Sequence, residues 1–524
     1  MRRTRTTLRL RVAAVGGAAV GIAAAAWACL ATIQPAAAAP GDKPNIVLVV
    51  TDDQRLDELD KRVMPATTRL IGGKGTTFTN TVVTTPTCCP SRATMLTGQY
   101  GHNNGVLANA PGYRALVEPE NTLPVWLQQA GYRTAHLGKY LNGYQGAVEE
   151  NTEVAPGWDQ WYTLLTPRRY YGYNLSVNGT EQGFGNKDGD HFSRVINRQT
   201  ARVIRRFSNG NDPFYVQVDQ FAPHTESGRS KSAGRCKGGA VPDPRDKKLF
   251  DNVKPPETPG YNEQDVTDKP SFISGRAPLS RKQERAVTRR IGCRLASLRG
   301  VDRGIKKMVQ TLKQEDELDN TVIIFTSDNG YFEGEHRIAV NKTVPYEEAL
   351  RVPLAVRVPP SVAGGQQPAT VRKLVSNIDL APTILDLAGG QPCTAAGCRV
   401  MDGRSLVRLL RGNANGVPDD RSLLIEYGRA RDKAGLVCEY AGIRQPTRVY
   451  MEYTAISNGV GCDPIDEGEL YDLRLDPFQL NNLFRPNGGQ GGTQGRLEAK
   501  LDELRACAGI AGRDPLPAGG SHCE

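Results

Sequence analysis

The sequence predicts an α/β protein with a large, mostly parallel mixed sheet sandwiched by helices, followed by a smaller α+β part with a short antiparallel sheet. Three observations carry this prediction. Continuous apolar, β-branched runs stop abruptly at polar residues, as strands buried on both faces do. Helical patterns lie between those runs, the alternation that builds parallel sheets. After about Gly412 the texture changes to shorter runs, one with clear apolar–polar alternation.

The first run is Asn45–Thr51 (NIVLVVT), and Asp52-Asp53 follows it directly. Residues 132–137 lead into Gly138-Lys139, Phe214–Asp219 into Ala222-Pro223-His224, and Thr321–Ser327 into Asp328-Asn329-Gly330. Ligands of open α/β sheets bind beyond the carboxyl ends of the strands, so these polar residues are expected to share one site. Helices are expected over 123–130, over 281–315 with a break, and over 379–388. The stretch 225–275, rich in Gly, Pro, Lys and Asp, reads equally as a wall of a substrate pocket or as a surface excursion. Beyond Gly412, residues 422–427, 448–454 and 469–472 read as strands, and 497–507 as a closing helix.

A chain of 524 residues, 39% of them hydrophobic, is long enough for one large core and a smaller one. The expected organisation is a signal peptide over 1–39, a catalytic domain over 40–412 and a smaller domain over 413–524. The leader rests on Arg2, Arg3, Arg5, Arg9 and Arg11, an apolar run to Ile33, and the small residues Ala36 to Ala39 before Pro40. An uncleaved anchor is the alternative for that segment. Cleavage gives a secreted protein with no stable membrane association. The formal charge is +10, and loss of the five leader arginines leaves about +5. No basic stripe or repeat points to nucleic acid.

Of eleven cysteines, Cys29 leaves with the leader. Cys88 and Cys89 are adjacent. The other eight fall in sequence order as Cys236 with Cys293, Cys393 with Cys398, Cys438 with Cys462, and Cys507 with Cys523. An even set in an exported chain suggests disulfides, although sequence does not fix which cysteines pair. No CxxC supports the competing zinc reading.

Two acidic pairs carry the first chemical signal. Asp52-Asp53 alone reads as a solvated turn or a helix cap. With Asp328-Asn329 at a second strand end, it supplies the oxygen ligands a hard cation takes. The second signal is Cys88-Cys89-Pro90-Ser91-Arg92-Ala93-Thr94-Met95-Leu96-Thr97-Gly98. Taken without any family, this is a buried thiol or disulfide before a helix that Pro90 starts and Gly98 ends.

The C-x-P-S-R…L-T-G pattern resembles the signature of the type I sulfatase family, and Gly131-Tyr132…Gly138-Lys139 resembles the family's second signature. The resemblance implies an alkaline-phosphatase-like fold and oxidation of Cys88 to Cα-formylglycine by a formylglycine-generating enzyme. It also implies one Ca²⁺ held by Asp52, Asp53, Asp328, Asn329 and an oxygen of modified Cys88. Arg92 would steady the formylglycine hydroxyls, Lys139 and Lys342 would bind sulfate oxygens, and His224 would serve the leaving oxygen. Many members carry a His two residues after the matched Lys. Here Leu141 stands there, and neighbouring Asn142 can hydrogen-bond but cannot act as a base at neutral pH. His336, in Gly334-Glu335-His336, is a further candidate.

Gly138-Lys139-Tyr140-Leu141-Asn142 and Asn262-Glu263…Asp268-Lys269-Pro270 resemble the branch that contains N-acetylglucosamine-6-sulfatases. The implied reaction is hydrolysis of a sulfate monoester of a sugar, such as N-acetylglucosamine 6-sulfate, or of an aryl alcohol. Two alternatives stand beside it: a phosphonate monoester hydrolase or phosphodiesterase of the same superfamily, and a secreted binding protein with a dead site.

Overall fold

The computed structural model describes residues 43–228, 231–365, 367–428, 436–486, 488 and 492–524. The expected leader therefore lies outside the described residues. No described helix is long and apolar enough to cross a membrane.

Fourteen strands build the two main sheets. The larger contains β1 (Asn45–Thr51), β2 (Thr76–Phe78), β3 (Arg133–Gly138), β4 (Gln160–Leu164), β5 (Tyr173–Val177), β6 (Thr180–Phe184), β7 (Phe214–Asp219), β8 (Thr321–Ser327), β9 (Leu354–Arg357) and β10 (Thr370–Val371). Their spatial order is β10-β2-β9-β8-β1-β7-β3-β4-β5-β6. The central block β8-β1-β7-β3-β4 is parallel throughout. β9 joins β8 antiparallel, and β5 and β6 add an antiparallel hairpin at the other edge.

Burial on both faces explains why the central strands are continuous apolar runs. Ile46, Leu48 and Val50 of β1 face a core shared with helices α1 (Cys88–Thr97), α2 (Leu123–Gln129) and α5 (Leu380–Ala388). Val47 and Val49 face the opposite core, against α3 (Phe192–Ser208) and α4 (Arg281–Gln314). An alternating strand could not satisfy both layers.

The break expected within 281–315 does not occur, because α4 runs unbroken for 34 residues. Ser280 caps it in a reciprocal box with Gln283. Gly304 within it is there for contact. A Cβ on Gly304 would lie 2.1 Å from Asn197 Oδ1 of α3, so the absent side chain lets the two helices approach.

The segment 225–275 is irregular but tied down. Cys236 is bonded to Cys293 of α4, Tyr261 bridges Glu335, and Asn262 accepts from Leu279 N at 2.7 Å. The other three expected pairs also form disulfides. Cys88 and Cys89 remain free and buried.

The second sheet is an antiparallel meander of β11 (Leu423–Tyr427), β12 (Val437–Gln445), β13 (Arg448–Ser457) and β14 (Cys462–Asp472). Sequence reading finds three of these strands and misses β12. It also sees only the last part of β14, whose first half is polar and largely exposed. Helix α6 (Thr493–Leu504) packs Leu497, Leu501 and Leu504 on this sheet, against Ile443, Tyr450 and Leu470.

Candidate active site

The parallel register brings the strand ends together. Thr51 of β1 pairs with Ser327 of β8, and Asp328 N donates to Thr51 O at 3.0 Å, so Asp52-Asp53 and Asp328-Asn329 emerge side by side. On the other flank of β1, Val50 pairs with Asp219 of β7, which in turn pairs with Gly138 of β3. A Cβ on Gly138 would lie 1.8 Å from Asp219 O, so only glycine lets β3 end here and deliver Lys139.

Helix α1 aims its first turn at these ends. Cys88 is its first residue, Pro90 lies within the first turn, and Gly98 stops it in the left-handed conformation. Cys88 Sγ lies 3.3 Å from Asp52 Oδ1, 3.9 Å from Asp53 Oδ1 and 2.6 Å from Lys342 Nζ. Lys342 Nζ also donates to Asp53 Oδ1, and Lys139 Nζ donates to Asp52 Oδ2 at 2.6 Å. One potential ligand atom each from Asp52, Asp53, Cys88 and His224 lies within 4.8 Å of the other three.

Asp328 and Asn329 flank that group. Asp328 Oδ1 accepts from Asp53 N at 3.0 Å and its Oδ2 from Arg92 Nε at 2.8 Å. Asn329 Nδ2 donates to Asp53 Oδ1 at 2.8 Å, while its Oδ1 is buried without a partner. Arg92 donates through one Nη to Asp219 at 2.6 Å and to Lys139 O at 2.9 Å, and its second Nη is buried without a partner. His224 donates Nδ1–H to Thr225 O at 2.5 Å, the only direction a carbonyl allows, and turns Nε2 to Asp53 Oδ2 at 3.7 Å.

Burial and charge oppose each other throughout. Burial would raise the Asp52 carboxyl, but Lys139, His224 and Arg92 hold it well below its ordinary value. Burial, then Asp52, lift Asp328 to about 6. Burial, then Asp52, push the Cys88 thiol up to about 12. A thiol so held is a poor nucleophile as it stands. Burial lowers His224 to about 4 against the pull of Asp52 and Asp53.

The two further candidates part company. Asn142 adjoins the site: its carbonyl accepts from Cys89 Sγ at 3.7 Å, and its Oδ1 is buried without a partner. His336 pairs with Glu263 at 2.7 Å and stacks on Tyr346, its ring centroid 4.1 Å away. None of these contacts reaches Cys88.

Three residues escaped the sequence reading. Asp219 ends an apolar run in the same way as Thr51-Asp52, so its signal was present. His136, buried on β3, has Nε2 3.0 Å from Asp219 Oδ2 without hydrogen-bond alignment, and its Nδ1 meets Thr163 Oγ1 at 2.7 Å. Arg294 of α4 donates to Asp53 O at 2.6 Å and to Glu58 Oε2 at 2.7 Å, and lies 2.8 Å from Glu333 Oε1. It braces Asp53, a non-glycine residue held at φ 70°.

Known proteins share both the sequence and the fold. Residues 44–390 match the sulfatase family model, and 334–507 match that of the N-sulphoglucosamine sulphohydrolase C-terminal region. The chain is 32% identical to human N-acetylglucosamine-6-sulfatase over 504 residues, covering 90% of this chain and 86% of that protein. It is 34% identical to the extracellular sulfatase SULF-1 homolog of Drosophila melanogaster over 407 residues, 76% of this chain, and spans about a third (34%) of that protein's length. Among solved structures, BT4656 in complex with its substrate D-glucosamine-2-N,6-O-disulfate aligns with a TM-score of 0.69 at 24% identity, over 88% of this chain and 97% of that one. The phosphonate monoester hydrolase of Agrobacterium radiobacter aligns with a TM-score of 0.61 at 20% identity, over 84% and 91%. The fold alone thus spans both chemistries, but the family match covers well over half of the sequence, including every strand end that carries the site: the chain belongs to the sulfatase family.

Proposed function

We propose that the protein hydrolyses sulfate monoesters at Cys88. The observation that supports this most is the ring of groups around one sulfur: two carboxylates and Lys342 contact Sγ, and Lys139 pairs with the nearer carboxylate.

Cys88 is read as the site of oxidation to formylglycine by a formylglycine-generating enzyme. Its hydrated aldehyde supplies one hydroxyl to attack sulfur and a second by which sulfate is later released. The residues fit a divalent cation. Asp52, Asp53 and Cys88 converge within 4.8 Å, and Asn329 Oδ1 is a buried acceptor with no partner. An oxygen-rich set of this kind suits Ca²⁺, with Asp328 and Asn329 completing it. Such an ion supplies Lewis-acid polarisation of the sulfate and orientation of the nucleophile.

The chain's own groups do the rest. Lys139 and Lys342 present ammonium groups where the sulfate oxygens gain charge. Arg92, fixed by Asp219 and Asp328, keeps one Nη free to hold a hydroxyl at position 88. His224 turns Nε2 towards the site and is read as serving the departing oxygen; burial holds the free imidazole neutral, so a proton it gives is taken up once substrate is bound. With a histidine absent at Leu141, no residue beside Lys139 provides the second base. The same reading takes 40–412 as the catalytic domain, 413–524 as the smaller one, and 1–39 as an export leader giving a secreted protein, in keeping with the extracellular relative.

The substrate class is a sulfated sugar, such as N-acetylglucosamine 6-sulfate, or an aryl sulfate. The test is turnover of 4-nitrophenyl sulfate against bis(4-nitrophenyl) phosphate by protein matured in a host with the oxidising enzyme. Sulfate turnover should dominate, fall when calcium is chelated, and drop by more than about 10³-fold in Cys88→Ala with the fold intact. Dominant phosphodiester turnover would favour the phosphonate-hydrolase chemistry instead. No turnover of either would favour a binding protein.

A further inference from the structure

Helices α3 and α4 carry 16 of the chain's 66 Lys and Arg residues but only 2 of its 56 Asp and Glu. Their surplus of 14 positive charges exceeds the formal charge of the whole chain, +10. The cations recur four residues apart. Arg194, Arg198, Arg202 and Arg206 form one such row on α3, and Arg299, Arg303 and Lys307 form another on α4. That spacing stacks like charges on one face of a helix, where each pair opposes folding. Read as a string these residues make no basic run; the helical turn and the packing align them.

The two rows lie side by side. Asn197 Nδ2 donates to Gly300 O at 2.9 Å, and Arg205 lies 3.4 Å from Glu315, so the helices run parallel. Arg194 and Arg303 share Asp243 at 2.5 and 3.3 Å. Further along, little answers the charge. Arg202, Arg206, Lys306 and Lys307 are exposed, and none of the four pairs with a carboxylate among the described residues. Of the helices' own two acids, Asp302 is buried and accepts from Thr67 N at 2.8 Å. The face is also concave. Arg299 donates to Val63 O at 3.0 Å, and Val63 lines a cleft of about 540 Å³ between α4 and residues 248–254. Lys248 and Lys254 stand on its wall, while Leu249, Phe250 and Leu295 offer apolar surface.

We propose that this face binds a sulfated polysaccharide chain, outside the active site and independently of catalysis. Guanidinium forks match the oxygens of sulfate groups, and the apolar floor of the cleft suits the carbon face of a sugar ring. Single-stranded nucleic acid needs exposed aromatic rings to stack on, and the only aromatic residues of α3 and α4, Phe192 and Phe207, are buried. A membrane surface needs large apolar side chains beside the cations, and the exposed positions of both helices are all Arg, Lys or Gln. The choice of a sulfated chain over another acidic one rests on the sulfate-ester reading.

The test is calorimetric binding of heparin to the exported protein carrying Cys88→Ala, which removes turnover and leaves the face intact. Binding should weaken steeply as salt rises. Arg202→Gln, Arg206→Gln, Lys306→Gln and Lys307→Gln together should weaken it about 10- to 100-fold and flatten the salt dependence. The melting temperature should not change, nor should turnover of 4-nitrophenyl sulfate when the four substitutions are placed in matured protein with Cys88. Heparin binding unmoved by the four substitutions, or no binding at all, would overturn the proposal. So would equal or tighter binding of duplex DNA or of anionic lipid vesicles. Absent turnover of 4-nitrophenyl sulfate in the matured wild type would count against the sulfatase reading alone.

Discussion

The molecule buries two clusters of opposite charges and finishes them differently. Around Asp379, every oxygen is answered. Arg421 grips both carboxylate oxygens at 2.7 Å, and Ser376 N and Arg404 N donate at 2.8 and 2.9 Å. Around Cys88 the pairing is as dense, yet an acceptor on Asn329 and a donor on Arg92 have no partner. The second cluster also holds Asp53 in the left-handed region. Burial and ion pairing are common to both and so do not mark function. Between these two clusters the difference is one of satisfaction: the atoms left unanswered beside Cys88 are of the kind that a bound cation or substrate oxygen completes.

Arg421→Met should give the largest change in stability. It strands Asp379 without its charge partner, for a cost of about 3–5 kcal/mol, read from denaturant unfolding. The kcat of the molecules that remain folded should not change. A cost below about 1 kcal/mol would remove the contrast between the clusters.

Arg294→Lys probes the support of the unsaturated cluster. It keeps the charge beside Glu58 and Glu333 but loses the fork that also reaches Asp53 O. Calorimetric calcium affinity should weaken about 10-fold, while the melting temperature in chelator stays nearly constant. Unchanged affinity would mean that the brace on Asp53 has no bearing on the metal site.

His336→Gln gives the smallest effect and decides whether His336 serves stability or the active site. Burial would lower its pKa, but Glu263 and Glu348 raise it to about 9. Its folded value lies above the unfolded value of about 6.5. Its contribution to stability is therefore complete below about pH 6.5 and lost as the pH rises through about 9. The wild type should be more stable than His336→Gln at pH 6, and the difference should shrink by pH 9.5. A change in the pH profile of kcat, with no such trend in stability, would move His336 into the active site.

Much of this was legible in the sequence, for a physical reason. Parallel strands buried on both faces read as apolar blocks, and the residue that ends each block is where the chain leaves the core. Asp52, Lys139, His224 and Asp328 follow from that rule with the helix-start motif at Cys88. Asp219 obeys the same rule and was overlooked because no motif drew attention to it. Arg294 gave no signal: it sits mid-helix and meets Asp53 across 241 residues of chain. The unbroken run of α4 is not legible in its pattern, where Gly304 serves close contact with α3. His336, a further candidate by its place in Gly334-Glu335-His336, has its contacts with Glu263 and Tyr346.

The most direct test is mass spectrometry of the tryptic peptide carrying Cys88, taken from protein exported by its natural host. The account predicts a peptide in which oxygen has replaced the sulfur and two hydrogens of that one residue, with Cys89 unchanged. An intact thiol at position 88 in protein that still cleaves sulfate esters would contradict it.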